Sequence, residues 1–255
     1  MKAINLFMNR LAMLLHPSRF IHERNLRKRG IEPRDFYMYN LPWLRSQPFD
    51  LVLDIGAARG GHTLLFHQLF AQAEIHAFEP LPVSFNKLRF RTRNLPRVVI
   101  HEMALSDKNG MVSLKKGGEG YDDSSSLLEM AQEHCRLFPG SGTQEIIEVE
   151  TGRLDDVIDC SKYKNIFIKM DVQGAEHLVI RGGHRIFSTA SVVVSEVSFC
   201  PLYEEGISFE NICSILQPFG LVFCGMLDQV YDRLGEGRII QGDAIFCGLN
   251  NISLT

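Results

Sequence analysis

Acids placed at the ends of apolar runs are where this 255-residue chain can do chemistry. Asp54 lies in the run Leu51–Ile55, just ahead of a turn containing Gly56, Ala57, Gly60 and Gly61. Glu79 ends a second run and precedes Pro80. Asp171 ends a third, Glu176 follows it closely, and Glu196 sits in a fourth among apolar neighbours. A glycine turn opening into a helix lets the backbone approach a ligand and offers unpaired N–H groups. An acid at the end of the next strand can accept both hydroxyls of a ribose. Acids on adjacent strands, about 4.8 Å apart, can face one cleft and take the proton of an acceptor hydroxyl.

Three ligands compete for the glycine turn. A dinucleotide site wants G-x-G-x-x-G, but Ala58 takes the middle position. A P-loop wants a lysine where this chain has His62, and a neutral imidazole cannot supply that constant charge. The third ligand is S-adenosylmethionine (SAM). Asp54 would repel a pyrophosphate, whereas it can pair with a cationic methionine ammonium. Glu79 suits the ribose of either SAM or NAD, so Asp54 and Ala58 are the discriminating residues. The plainer readings are a ligand-free turn, a strand-end capping acid and a loop carboxylate. They weaken together because all these residues fall on one predicted sheet edge.

The elements that must hold these residues alternate. Strands are expected at Leu51–Ile55, Glu74–Glu79, Val98–Glu102, Glu145–Glu150, Asn165–Met170 and Ser191–Val197. Helices are expected at Gly61–Gln72, Pro82–Asn94, Arg153–Ile158, Glu176–Phe187 and Phe209–Gln217. This βα rhythm predicts a parallel sheet with helices on both faces. Leu221–Gly225 and Ala244–Gly248 follow without a helix between them and predict an antiparallel pair. Ala104–Lys115 reads as an inserted hairpin around an Asn109-Gly110 turn. Lys116–Gly142, with a short helix near Leu127–Leu137, is a long polar loop suited to a lid over an acceptor.

Composition bounds the function. With 45% hydrophobic and 22% charged residues the chain reads as globular, and a net charge of −3 argues against a general nucleic-acid binder. Residues 1–29 nevertheless carry seven Lys and Arg against Glu23 alone. This head reads as an amphipathic basic helix packed on the domain or on a second copy, or lying on an anionic membrane surface. No apolar run is long enough to span a membrane, and no secretory cleavage pattern follows the N-terminal stretch. The six cysteines form no C-x-x-C pair and read as reduced and mostly buried, which points to the cytoplasm and away from zinc. His62, His134 and His177 read as surface or turn residues.

Four segments in order, VLDIGAxxG at 52–60, AFEP at 77–80, ALSD at 104–107 and IKMDVQGAE at 168–176, resemble the FkbM family of SAM-dependent methyltransferases. The resemblance spans about residues 48–250, which leaves 1–47 as a basic helical extension. It implies a Rossmann-like α/β domain with a seven-stranded, mostly parallel sheet whose last strand is reversed, and SAM as cofactor. The cofactor residues it implies are Asp54, Gly56, Ala57, Gly60, Glu79 and Pro80, with adenine against Glu102, Met103 and Ala104. Family members are mostly O-methyltransferases of polyketides, saccharides and lipid-linked glycans, and the resemblance demands no metal. Ala58 stands where the family usually has Asn, and Gln173 where it usually has Glu.

The expected reaction is methyl transfer to a hydroxyl of a small-molecule or glycan acceptor. Its first candidate base is Asp171, with Glu196 as stabiliser or alternate base. Glu176 is either a third acid of that edge or a helix-dipole partner. Lys169 either pairs with these acids or snorkels to the surface. Two other classes stay open at this level: a nicotinamide-dependent oxidoreductase, and a non-catalytic module that kept the fold.

Overall fold

The computed structural model describes residues 17–118, 122–142, 145–232 and 237–248. It begins with three helices, α1 (Pro17–Lys28), α2 (Pro33–Tyr39) and α3 (Pro42–Arg45). Proline starts α2 and α3, where its fixed φ suits the first turn and its missing N–H has no partner to lose. The part of the basic head before residue 17 lies outside the described residues. No described helix is long and apolar enough to cross a membrane.

The alternation then runs β1 (Leu51–Ile55), α4 (Gly61–Leu69), β2 (Glu74–Phe78), α5 (Pro82–Thr92) and β3 (Val98–His101). A smaller unit follows: β4 (Ala104–Leu105), β5 (Gly110–Lys116), α6 (Gln132–Leu137) and β6 (Glu145–Gly152). After α7 (Leu154–Val157) come β7 (Ile166–Met170), α8 (Glu176–Gly182), α9 (His184–Thr189) and β8 (Ala190–Ser198). The chain closes with α10 (Phe209–Leu216), β9 (Leu221–Met226), β10 (Val230–Tyr231) and β11 (Ile239–Gly248).

The main sheet has the order β10-β11-β8-β7-β1-β2-β3, with β9 also paired to β11. β1, β2, β3, β7 and β8 pair in parallel, while β11 runs antiparallel to β8 and to β9. The reversed last strand is as expected, and the two-residue β10 brings the sheet to eight strands. The chain leaves β1 toward β2 and β3, then returns on the other side as β7. The crevice at the carboxyl ends of β1 and β7 is therefore the topological switch point, where open α/β sheets bind ligands.

Strand alternation sorts the core. Leu51, Leu53 and Ile55 of β1 and Ile166, Ile168 and Met170 of β7 face one cluster with Val179, Ile180, Phe187 and Ile212. Val52 and Phe167 face the other, with Leu65 and Phe66 of α4. That second cluster also contains Leu26, Ile31, Phe36, Tyr39 and Leu44, so the N-terminal helices cover this side of the sheet.

Several local expectations are corrected. β4 and β5 do not form a hairpin, because β6 lies between them and pairs parallel to β4 and antiparallel to β5. A turn signal predicts a reversal, and it cannot show that a strand from about forty residues later takes the space between. The long helix expected after Glu176 divides into α8 and α9 at Gly182 and Gly183. A Cβ at Gly182 would stand 2.0 Å from the Ser106 carbonyl oxygen, so this pair lets the helix approach the β4 segment. All six cysteines are free as expected, but only Cys247 is buried, and Cys135 and Cys224 are exposed. His134, expected as a surface or turn residue, is 2% exposed and lies within α6.

Candidate active site

The turn after β1 is shaped by two close approaches. Gly56 has φ +79, and a Cβ there would stand 1.9 Å from the backbone oxygen of Asp171. The two loops leaving β1 and β7 touch because residue 56 has no side chain. Gly60, also at φ +79, packs against Leu88, where a Cβ would meet the side chain at 2.8 Å. The N–H groups of Gly56 and Ala57 donate to the Phe78 carbonyl, which ties the turn to the end of β2.

Ala58 has φ +47, a left-handed conformation that a Cβ disfavours. Its N–H donates to Glu79 Oε2 at 2.8 Å. Ala58→Gly should therefore raise stability by up to about 1 kcal/mol while leaving SAM affinity unchanged. Urea unfolding of the two proteins checks this, and a destabilised glycine variant would show that the turn is not strained.

The turn borders a cavity of about 420 Å³, ample for a nucleoside-sized ligand. Of the residues singled out in the sequence, Gly56, Ala57, Glu79, Pro80, Met103, Ala104 and Asp171 line it. Asp54, Gly60, Glu102, Glu176 and Glu196 do not. Glu102 is exposed outside the wall. Phe78, Met103, Leu105, Leu114 and Leu127 give the cavity an apolar stretch of wall.

Glu79 holds both ends of its carboxylate against the backbone. Oε2 takes the Ala58 N–H, and Oε1 takes the Leu81 N–H at 2.8 Å. Burial pushes this carboxyl up to about 7, and the two N–H groups pull against that rise. Each oxygen keeps a second lone-pair direction, and Glu79 lines the cavity, so it can still accept two ribose hydroxyls.

Asp54 is fully buried, and its Oδ2 accepts the Thr63 hydroxyl at 2.6 Å. Its Oδ1 is buried without a partner among the described residues. Burial raises this carboxyl, and the Lys169 ammonium and the Thr63 hydroxyl oppose the rise. An orphaned anionic oxygen next to the turn suits a cationic neighbour better than a phosphate. The wall agrees: Glu32, Asp35, Glu79, Asp122, Asp123 and Asp171 face Arg59, Arg91 and Lys169.

The reaction edge is a connected network. Lys169, 1% exposed, donates to Asp171 Oδ2 at 3.0 Å. Gln173 Nε2 donates to Asp171 Oδ1 at 2.7 Å and to Glu196 Oε2 at 2.8 Å. Gln241 Nε2 donates to Glu196 Oε1 at 2.9 Å, and the Tyr203 hydroxyl donates to Gln173 Oε1 at 2.6 Å. Burial raises the Asp171 carboxyl, but Lys169 and Gln173 outweigh it and leave Asp171 below the usual range. Burial, with Asp171 and Glu176 nearby, pushes Glu196 well up. Glu176 turns its Oε1 toward the N–H groups of Val172 and Gly174, so it shapes the Asp171 loop from behind.

The long loop lies across the edge as a strap. Ser126 Oγ donates to the Gln173 carbonyl at 2.7 Å, and the Ala131 N–H to that of Leu202 at 3.0 Å. Asp122, Asp123, Ser125, Ser126 and Leu127 thereby reach the cavity, and Arg59 meets Asp122 at 3.4 Å. Gly30, Glu32 and Asp35 reach it from the opposite side, and Arg91 donates to the carbonyls of Arg59 and Gly30. Sequence reasoning missed these N-terminal wall residues, and no local pattern marks them. His62, read from the sequence as a surface or turn residue, lines the cavity, and burial lowers it to about 3.

An acid-rich cavity at the switch point of a Rossmann-like sheet suits a cationic cofactor, which places the molecule among the methyltransferases of this fold. A family model described as the methyltransferase FkbM domain matches residues 54–223. The 2-O-methyltransferase NoeI of Sinorhizobium fredii is 32% identical over 184 residues, covering 70% of this chain and 76% of that protein. Methyltransferase 1 of Beauveria bassiana is 27% identical over 143 residues, covering 51% and 57%. Among solved structures, the methyltransferase FkbM from Methylobacillus flagellatus KT aligns with a TM-score of 0.52 at 13% identity. That alignment covers 82% of this chain and 47% of the other, so this chain spans about half its length. The chain belongs to the FkbM methyltransferase family, and its cofactor is SAM.

Proposed function

We propose that this protein is an O-methyltransferase whose acceptor is a hydroxyl on a saccharide or another hydroxylated metabolite. The observation that carries the reading is Asp171, a carboxylate held ionised at the cavity wall beside the glycine turn. Support for the acceptor class comes from the strap, which brings Asp122, Asp123, Ser125 and Ser126 to the cavity. The resemblance to NoeI, named as a 2-O-methyltransferase, supports oxygen as the methylated atom.

When bound, SAM would supply an electrophilic methyl group on a sulfonium that becomes a neutral thioether on transfer. Glu79 would hold the ribose through its hydroxyls, and the apolar wall around Met103 would take the base. Asp171 would accept the hydrogen bond of the acceptor hydroxyl and so hold its oxygen at the cavity wall beside the glycine turn. Asp171 would take up the proton of that hydroxyl as its oxygen is methylated and then release it to solvent. Lys169 keeps Asp171 anionic between turnovers.

The test is transfer of labelled methyl from SAM to a panel of free and lipid-linked saccharides. The expected product is an alkali-stable methyl ether, and Asp171→Asn should bind SAM normally while losing at least about 100-fold in turnover. Label found only as a base-labile ester, or on nitrogen or sulfur, would overturn the reading.

A further inference from the structure

We propose that Gln173 is a positioning residue whose side-chain amide clamps Asp171 and Glu196 together, standing where a shared proton or a bridging cation would otherwise sit. One nitrogen meets both carboxylates, at 2.7 and 2.8 Å. An amide N–H₂ has two hydrogens, and here each points at a different acid. The amide cannot be turned round, because its oxygen would then face both carboxylates. Tyr203 completes the arrangement by donating to Gln173 Oε1 at 2.6 Å. Tyr203 is 4% exposed, so this direction is set from the core.

The backbone is committed to the same end. Gln173 has φ +56 and Gly174 φ +92, a turn that a glutamine adopts only under restraint. Ser126 holds the Gln173 carbonyl, and Tyr203 packs where a Cβ at Gly174 would be 2.9 Å away. The clamp thus joins β7, β8 and the strap over the cavity. A carboxylate at 173 would place three acids within hydrogen-bond reach of one another. Oxygen-rich sites of that kind are neutralised by a proton or by a hard divalent cation. The Gln173 amide occupies the space between Asp171 and Glu196, and no described group of three or more His, Cys, Asp and Glu is arranged to hold a metal ion.

The proposal rests on the reading of Asp171 as the acceptor-facing acid only for its consequence in catalysis. Its test uses thermal unfolding and calorimetry without an acceptor, so the two readings fail separately. The full chain should melt at the same temperature with EDTA or with millimolar Mn²⁺ or Mg²⁺. Q173E should melt lower at pH 7.5 than at pH 5.5 relative to the parent, and Mn²⁺ should raise its Tm by roughly 5 °C or more at pH 7.5. Q173M should show the same pH trend without any response to Mn²⁺. A Q173E protein unaffected by Mn²⁺ would overturn the proposal. So would one insoluble with and without Mn²⁺ while Q173M folds, or a parent protein that binds Mn²⁺ in a manner abolished by D171N.

Discussion

Replacing Lys169 with methionine will destabilise the protein by about 3–5 kcal/mol at neutral pH. Lys169 is buried, pairs with Asp171 at 3.0 Å and also interacts electrostatically with Asp54 and Asp243. Burial lowers the lysine's proton affinity, yet these three acids raise it above the usual value. Methionine matches the stem in shape but leaves the acids without their cation. Their folded-state proton affinities then rise above those of the unfolded chain. A group shifted upward contributes stability below its unfolded value and loses it as pH climbs through the folded one. The deficit of Lys169→Met should therefore be largest near pH 7–8 and shrink toward pH 5. Urea unfolding across that range measures it, and K169M/D171N should recover part of the loss. Equal stability of K169M and the parent at every pH would remove the ion-pair account.

The second large effect is on cofactor binding. Glu79→Gln should weaken SAM by about 100-fold, equivalent to losing about 3 kcal/mol from two charge-assisted hydrogen bonds. The amide also sets an N–H₂ against the Ala58 or Leu81 N–H that the carboxylate now accepts. A distinctive pH dependence accompanies this loss. Burial raises Glu79 from 4.5 to about 7, so this group favours the ligand-free fold below about 4.5 and withdraws that support as pH rises through about 7. Ribose binding requires the ionised form, so SAM affinity should fall as pH drops below about 7. Calorimetric titration of SAM between pH 5.5 and 8 should show this slope in the parent and a flat profile in E79Q. The comparison matters because Glu176, raised to about 7, and His101, lowered to about 4, titrate nearby with opposite effects on stability. Parallel profiles in the two proteins would mean that Glu79 does not hold the ribose.

Much of the site was readable before any coordinates. The glycine turn, Glu79 and Asp171 follow strand ends, and in a parallel sheet strand ends share one edge by construction. Met103 and Ala104 were placed by resemblance and do line the cavity, whereas the neighbouring Glu102 points outside. Asp54 was expected to meet a cation. It is buried with one oxygen on Thr63 and the other without a partner among the described residues, beside the wall rather than in it. Glu176 was weighed as an acid of the edge, and the structure turns it onto its own loop. These outcomes depend on side-chain direction, which residue type and spacing leave open at a strand end or a first helical turn.

What the sequence by itself determined is the sheet and its edge. Apolar runs of strand length, alternating with amphipathic helices and punctuated by glycine, admit few arrangements other than a Rossmann-like domain. Their local periodicity is a property of neighbouring residues. What only the tertiary structure decided is the set of contacts between segments distant along the chain. These include β6 between β4 and β5, Asp35 and His62 in one wall, and Gln173 joined to Glu196 and Tyr203. Such contacts arise when buried polar groups find partners during packing. A single sequence records which groups need partners, and only the folded chain settles which ones they meet.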